Sequence, residues 1–452
     1  MNWFAVPLAG VLGAACLSAA EWRVPPGDSV ADAVARAAAG DTVFVAPGVY
    51  TGNLVIEKTL RLIGTGRPVL RGLGRGSVVT VRAPRCEIRG FRIERSGGSL
   101  IEEDSGIILY SDGNRIVDNE LDDILFGIYF YHSNDNIVRH NRVRGRTRIE
   151  QGERGAGLHL WDCLRNVIED NTVSETRDGM YLQNASESAI RRNIVTRVRY
   201  GLHYMYSNDN VFEENVFDRN VAGAAIMYSS RIELRRNRFE HNRGFSSFGI
   251  LFQDSAGLAI EHNAIADNAV GIFMEGLRDS TFRQNLVAGN DTAVQVFSSA
   301  ANNRFYENNF IGNLSPISVV GRGTTTVWSR GARGNYWSEY DGYDLDADGI
   351  GDVPHRIRNF YERLEGNYPR LRLYFYSPAA QALAAAERAF PIIRAADEQD
   401  PHPLMKPVVL PIAVRAPAHS AGGLRELGAI GASALAAAVF LLRRKSRSDP
   451  HT

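Results

Sequence analysis

The sequence predicts an all-β chain folded as a right-handed parallel β-helix, a solenoid of coils about 22 residues long around one continuous core. The first observation is a recurring glycine at the head of short apolar segments: Gly127, Gly157, Gly179, Gly201, Gly223, Gly249 and Gly271, at intervals of 30, 22, 22, 22, 26 and 22 residues. The second is an asparagine 14 residues after each of them, namely Asn141, Asn171, Asn193, Asn215, Asn237, Asn263 and Asn285, with Asn119 opening the series and Asn308 or Asn309 closing it. The third is alternation at period two, as in Ile128 and Phe130, Leu158 and Leu160, Met180 and Leu182, Leu202 and Tyr204, Ile250 and Phe252, Ile272 and Met274. These side chains are expected to point inward and stack on their equivalents one coil away, about 4.8 Å apart. Gly and Asn suit the corners because they accept left-handed backbone conformations cheaply, and stacked asparagines also bond their amides along a ladder. A leucine-rich repeat is the nearest rival, but its Leu-x-x-Leu-x-Leu pattern is missing.

The elements follow in chain order. Residues 1–20 form a short apolar stretch of small residues ending in Ser18, Ala19 and Ala20, which reads as an export signal removed before Glu21. Cys16 sits in a poor lipoprotein box, with Gly13 where Leu is usual. The β-helix is expected over 21–376. Its first feature is an amphipathic helix over residues 29–39, with Ser29 or Asp28 as cap, Val30, Ala33, Val34 and Ala37 on the apolar face and Gly40 as stop, placed to plug the open end of the core. The 30-residue interval leaves eight extra residues that must loop out between Arg144 and Gly155, and the 26-residue interval predicts a smaller bulge between Asn242 and Ser247. Residues 377–423, rich in Ala and Pro, read as an extended linker. Residues 424–452 hold an uncharged apolar run, 427–442, followed by Arg443, Arg444 and Lys445; this reads as a membrane anchor or sorting tail whose basic end stays inside. Once the signal is removed, Cys86 and Cys163 remain several coils apart and are expected to be free, buried thiols. The formal net charge is zero and the arginines are scattered along the coils, so nucleic-acid binding is not expected.

The second and fourth positions after each Gly should point outward. They form one column of Tyr129, His159, Tyr181, His203, Ala225, Leu251 and Phe273, and a second of Tyr131, Trp161, Gln183, Met205, Met227, Gln253 and Glu275. A solvated sheet face carries Thr, Lys and Glu; this one is aromatic and sulfur-containing, which points to contact with a partner or ligand through Tyr129, Tyr131, Trp161, Tyr181 and Phe273. Met205 and Met227 occupy equivalent positions on adjacent coils and His203 lies two residues from Met205, a soft thioether and imidazole set that suits Cu(I), with His159 two coils away as a relay. The plain alternative is that these methionines are covered by a loop or partner. Exported β-helices also include sugar-cleaving and epimerising enzymes on acidic polysaccharides. Such chemistry needs convergent carboxylates or a basic residue beside a substrate groove, whereas Asp162, Asp254 and Glu275 fall too far apart along the stack for an obvious pair. A plain adhesion or scaffold module is a third reading, and the Met and His set argues against it.

Two groups of residues carry a family resemblance. The paired segments starting at His203 (His-Tyr-Met-Tyr-Ser-Asn-Asp-Asn) and Ile226 (Ile-Met-Tyr-Ser-Ser-Arg), with the closing Gly334-Asn-Tyr-Trp-Ser-Glu-Tyr and Asp341 to Pro354, resemble the NosD family of periplasmic β-helix proteins that mature nitrous oxide reductase. The likeness spans roughly residues 22–375. It implies a pectate-lyase-like solenoid acting as a non-catalytic assembly factor in the periplasm that docks on an ABC transporter, while attachment to the inner membrane is expected from the apolar tail and its basic end. Its implied partners are the ATPase and membrane subunits of an ABC transporter, a copper chaperone lipoprotein and nitrous oxide reductase, with copper as cargo. Within the closing motif, Asp344, Asp346 and Asp348 followed by Gly349 reproduce the first half of a calcium loop. Asp352 stands at position 9, but His355 replaces the bidentate Glu of position 12, so the match is partial.

Overall fold

The computed structural model describes residues 19–357 except 245 and 322, together with 377, 382 and 398–411. The short strands of each coil assemble into three parallel sheets of 13, 12 and 13 strands, each strand pairing with its counterpart one coil away. Register follows the sequence period: Met180 pairs with Leu202, Leu202 with Ala224 and Ala224 with Ile250. The predicted inward column of Ile128, Leu158, Met180, Leu202, Ala224, Ile250 and Ile272 has no solvent exposure, and a single apolar cluster runs from Val24 to Ile357.

The left-handed corner predicted for the glycines and asparagines is not found, whereas the predicted ladder of asparagine amides is. None of the seven repeat glycines, and none of the asparagines that follow them, has a positive φ; the left-handed residue is the one before each Asn, such as His140, Asp170, Arg192, Glu214 and Arg236. Gly179 is required by crowding: a Cβ there would lie 2.1 Å from Val195 Cγ1 and 2.7 Å from the Gly201 carbonyl. The asparagines bond the backbone from coil to coil. Asn171 N–H donates to Asn193 Oδ1 at 3.0 Å, while Asn193 Nδ2 donates to the Ile168 carbonyl at 2.9 Å and to Asn215 Oδ1 at 3.0 Å. This ladder continues through Asn308 to Asn335. A second runs from Asn220 through Asn242, Asn268 and Asn290 to Asn313. A third links Asn114, Asn136 and Asn166, and passes through Ser188 to Asn210. Most buried polar groups in folded proteins are hydrogen-bonded, and here each amide serves the coil on either side.

The helix spans Val30–Arg36, with Ser29 Oγ accepting the Asp32 N–H at 3.1 Å, and its Val30, Ala33 and Val34 join the core. At the other end Trp328 and Trp337 are buried. Trp328 Nε1 donates to Glu398 at 2.8 Å and Trp337 Nε1 to Asp400 at 3.0 Å, and Asp400 also accepts the Asn335 N–H at 2.6 Å. Asn309 exchanges hydrogen bonds of 2.8 Å with the Val408 backbone in both directions. The linker reading of 377–423 is therefore corrected over 398–411, where buried indole and amide donors at the last coils bind the returning chain. The signal reading falls almost wholly on residues 1–18, and the apolar tail on 424–452, outside the described residues. Cys86 and Cys163 are free and buried, and burial pushes the Cys163 thiol up to about 11.

Candidate functional site

The outer face of the 12-stranded sheet carries the residues singled out above, and parallel register decides which of them meet. Strands Tyr200–Met205 and Ala222–Met227 lie side by side, pairing Met205 with Met227 and His203 with Ala225. Neighbouring strands are about 4.8 Å apart, so two thioethers share one edge of a two-coil patch and the imidazole stands two residues along the same strand. His203, Met205 and Met227 are partly exposed, while Ala225 is buried and adds only a methyl between the imidazole and the next coil.

The N-terminal part of this face is not open. Four rings form an edge-on ladder, with Tyr129 to His159, His159 to Tyr181 and Tyr181 to His203 centroids 4.4, 4.6 and 4.6 Å apart. The loop of residues 146–156 folds back over the first rung, and Ala156 and Ile149 pack with Leu125, Phe126 and Tyr129 in a satellite apolar cluster. Arg146 and Arg148 hold the loop to Asp123. Tyr129 is therefore 1% exposed, its hydroxyl donating to Glu103 at 2.7 Å, and is corrected from partner surface to core. His159 is likewise corrected as an open relay: it is 7% exposed and Tyr181 stands between it and His203. Trp161 and Tyr181 are half-covered by the same cluster. Tyr131 is exposed, and Phe273 lies between Phe248, edge-on at 4.9 Å, and Phe297, tilted at 5.1 Å.

Neither ring nitrogen of His159 has a hydrogen-bond partner. Burial, reinforced by the Arg177 charge, lowers its pKa to about 3, so the folded protein holds it neutral. The unfolded chain takes up this proton near 6.5, so between about 6.5 and 3 it binds more protons than the native state and stability falls as pH is lowered. The unfolding free energy of the parent, measured by urea titration, should drop more steeply than that of His159→Phe across this window, by about a few kcal/mol. Parallel curves for the two proteins would show that His159 is not held neutral by the fold.

A residue missed in the sequence lies beneath the patch. Asp178 has no solvent exposure, and its carboxylate accepts Arg199 Nε and Nη2 at 2.9 and 2.8 Å and faces His203 Nδ1 at 3.1 Å. Burial would raise its pKa, but the His203 and Arg199 hydrogen bonds outweigh it and hold the carboxyl at about 2. The sequence signal was available, because Asp178 is the one acid among the residues preceding the repeat glycines: Phe126, Ala156, Asp178, Tyr200, Ala222, Phe248 and Val270.

The closing turn brings together one carboxylate oxygen each from Asp344, Asp346 and Asp348, all within 4.8 Å of one another. Backbone N–H groups bond one oxygen of each acid: Gly349 donates to Asp344 Oδ2 at 2.9 Å, Asp348 to Asp346 Oδ1 at 3.3 Å and Ile350 to Asp348 Oδ1 at 2.7 Å, while Asp344 Oδ1 has no hydrogen-bond partner. Asp352 accepts the Leu345 N–H at 2.7 Å, and His355 packs 5.1 Å from the Trp337 ring. Of the three acids weighed for sugar chemistry, Asp162 is remote. Asp254 and Glu275, expected to be apart, instead sit on adjacent coils, the Asp254 N–H donating to the Glu275 carbonyl at 2.9 Å.

Residues 140–342 match the family model described as NosD, periplasmic copper-binding protein. A Pseudomonas aeruginosa protein named probable ABC transporter binding protein NosD is 40% identical over 375 residues, covering 80% of this chain and 87% of that protein. A Stutzerimonas stutzeri protein of the same name is 36% identical over 376 residues, covering 79% and 85%. Among solved structures, the Yersinia enterocolitica family 28 exopolygalacturonase superposes with a TM-score of 0.50 at 8% identity, covering 66% of this chain and 74% of that one. At that identity the likeness concerns the solenoid fold alone.

Proposed function

The chain belongs to the NosD family, and from that premise we propose that it is a periplasmic, non-catalytic assembly factor that carries Cu(I) on its outer sheet face for the copper sites of nitrous oxide reductase. The observation that carries this reading is the register pairing of Met205 with Met227 beside His203 on a partly exposed face. Thioether and imidazole ligands suit Cu(I), and an open set without thiolates lets the ion leave again, which transfer between partners requires. A copper chaperone lipoprotein would supply the ion. The transporter's ATPase and membrane subunits, whose involvement is suggested by the relatives' names, would couple the solenoid to the inner membrane.

Within this reading Tyr131, the exposed side of Trp161 and Tyr181, and Phe273 form the partner surface, and the helix Val30–Arg36 closes the N-terminal end of the core. His159 would meet the ion only if the rings packed around it moved, and the carboxylates of residues 344–352 take no part. A sugar-acting enzyme is the weaker reading, because the polygalacturonase likeness speaks to fold only. The direct test is titration of the purified protein with Cu(I) in competition with a chromophoric Cu(I) chelator. One bound Cu(I) per chain is expected, and the absence of any competition would remove the proposal.

A further inference from the structure

An imidazole serves as a metal ligand through an unprotonated nitrogen, and which nitrogen that is depends on what the other one bonds. At His203 the surroundings of the ring are unusually complete. Tyr181 stands edge-on at 4.6 Å and Tyr200 at 5.1 Å, the Arg199 guanidinium lies 4.5 Å over the Tyr200 ring, and the Asp178 carboxylate meets Nδ1 at 3.1 Å. Asp178 already has its charge matched by the two hydrogen bonds from Arg199, and Arg177 Nε lies 3.6 Å away. The contact with His203 is therefore additional to what burial of the acid demands. A carboxylate accepts hydrogen bonds and does not donate them, so the nitrogen facing it carries the proton.

We infer that Asp178 is a positioning residue for the metal patch: it holds the His203 imidazole with the proton on Nδ1, leaving the Nε2 lone pair directed outward beside Met205 and Met227 as the nitrogen ligand for Cu(I). The arrangement is a carboxylate–histidine–metal relay, in which the outer partner fixes tautomer and ring angle. The inference rests on the copper reading above. It adds a function for the one acid in its column, which otherwise would be a buried charge placed under a surface patch.

The test uses the full-length protein. In the metal-free parent, nitrogen-15 spectra of the labelled imidazoles should show His203 with Nδ1 protonated and Nε2 unprotonated; a parent with the proton on Nε2 overturns the inference before any variant is made. In Asp178→Asn the His203 signal should move to a mixture of tautomers, and Cu(I) affinity measured by chelator competition should fall by about 10–100-fold, the usual loss for an outer-sphere partner of a metal-bound histidine. The same substitution in a His203→Ala background should change Cu(I) affinity no further. Equal losses in both backgrounds would mean that Asp178 only supports the fold, and an unchanged affinity and tautomer in the single variant would also overturn its role. A parent that binds no Cu(I) would instead overturn the copper reading, and with it the ligand assignment, which is distinct from a parent that binds through His203 without regard to Asp178.

Discussion

Replacing Met205 and Met227 together by Leu should weaken Cu(I) binding by more than about a hundredfold, because two ligands are removed where loss of a single outer partner already weakens a metal site about 10–100-fold. The fold should survive. Met-to-Leu exchange conserves volume and shape closely enough to cost less than about 1.5 kcal/mol per site, and both positions lie on the outer face, away from the core column of Leu202, Tyr204 and Ile226. The expected result is thus a protein with the parent's urea midpoint, little Cu(I) retention and poor support for reductase loading. A double variant that binds Cu(I) as the parent does would reduce the methionines to contact surface.

The second large effect concerns the asparagine ladder. Asn193→Ala removes an acceptor for both the Asn171 backbone and side-chain N–H groups and a donor to the Ile168 carbonyl and Asn215, all in the interior. Each buried group left without a partner costs about 1–3 kcal/mol, and with partial relaxation the substitution should destabilise the solenoid by about 3–5 kcal/mol. The loss would appear as a lowered midpoint in urea. A change below about 1 kcal/mol would mean that the coils are held by apolar stacking and that the amides are incidental.

The period was legible because it is written in residues that tolerate little exchange. The 14-residue offset between Gly and Asn survives two insertions, and it placed Met205 opposite Met227 without any structural information. The reason for the glycine was not legible, because crowding by Val195 from within the coil and by the Gly201 carbonyl of the next involves groups remote in sequence. That misreading hid Asp178. A Cβ on Gly179 would point at the core residue Val195, and the next residue, Met180, is also buried in the core, so the alternation slips by one at the glycine. Counting by two places residue 178 inside, whereas it shares the outer side of the sheet with His203. The loop after Arg144 was recognised by its length, but only Ile149 hinted that it would fold back and bury Tyr129. The two further polar ladders escaped notice because serine replaces asparagine at Ser188 in one and the other begins only at Asn220. Residues 398–411 have the composition of a linker, and what fixes them is a set of buried donors, the Trp328 and Trp337 indoles among them, that no local pattern reveals.

Whether His203, Met205 and Met227 hold copper together is tested most directly by X-ray absorption at the copper edge of the Cu(I)-loaded protein, compared with the Met205→Leu, Met227→Leu double variant. The predicted spectrum of the parent contains two sulfur scatterers and one imidazole nitrogen, and the sulfur contribution disappears in the variant. A parent spectrum without copper–sulfur scattering, or a variant spectrum identical to the parent's, would contradict the assignment.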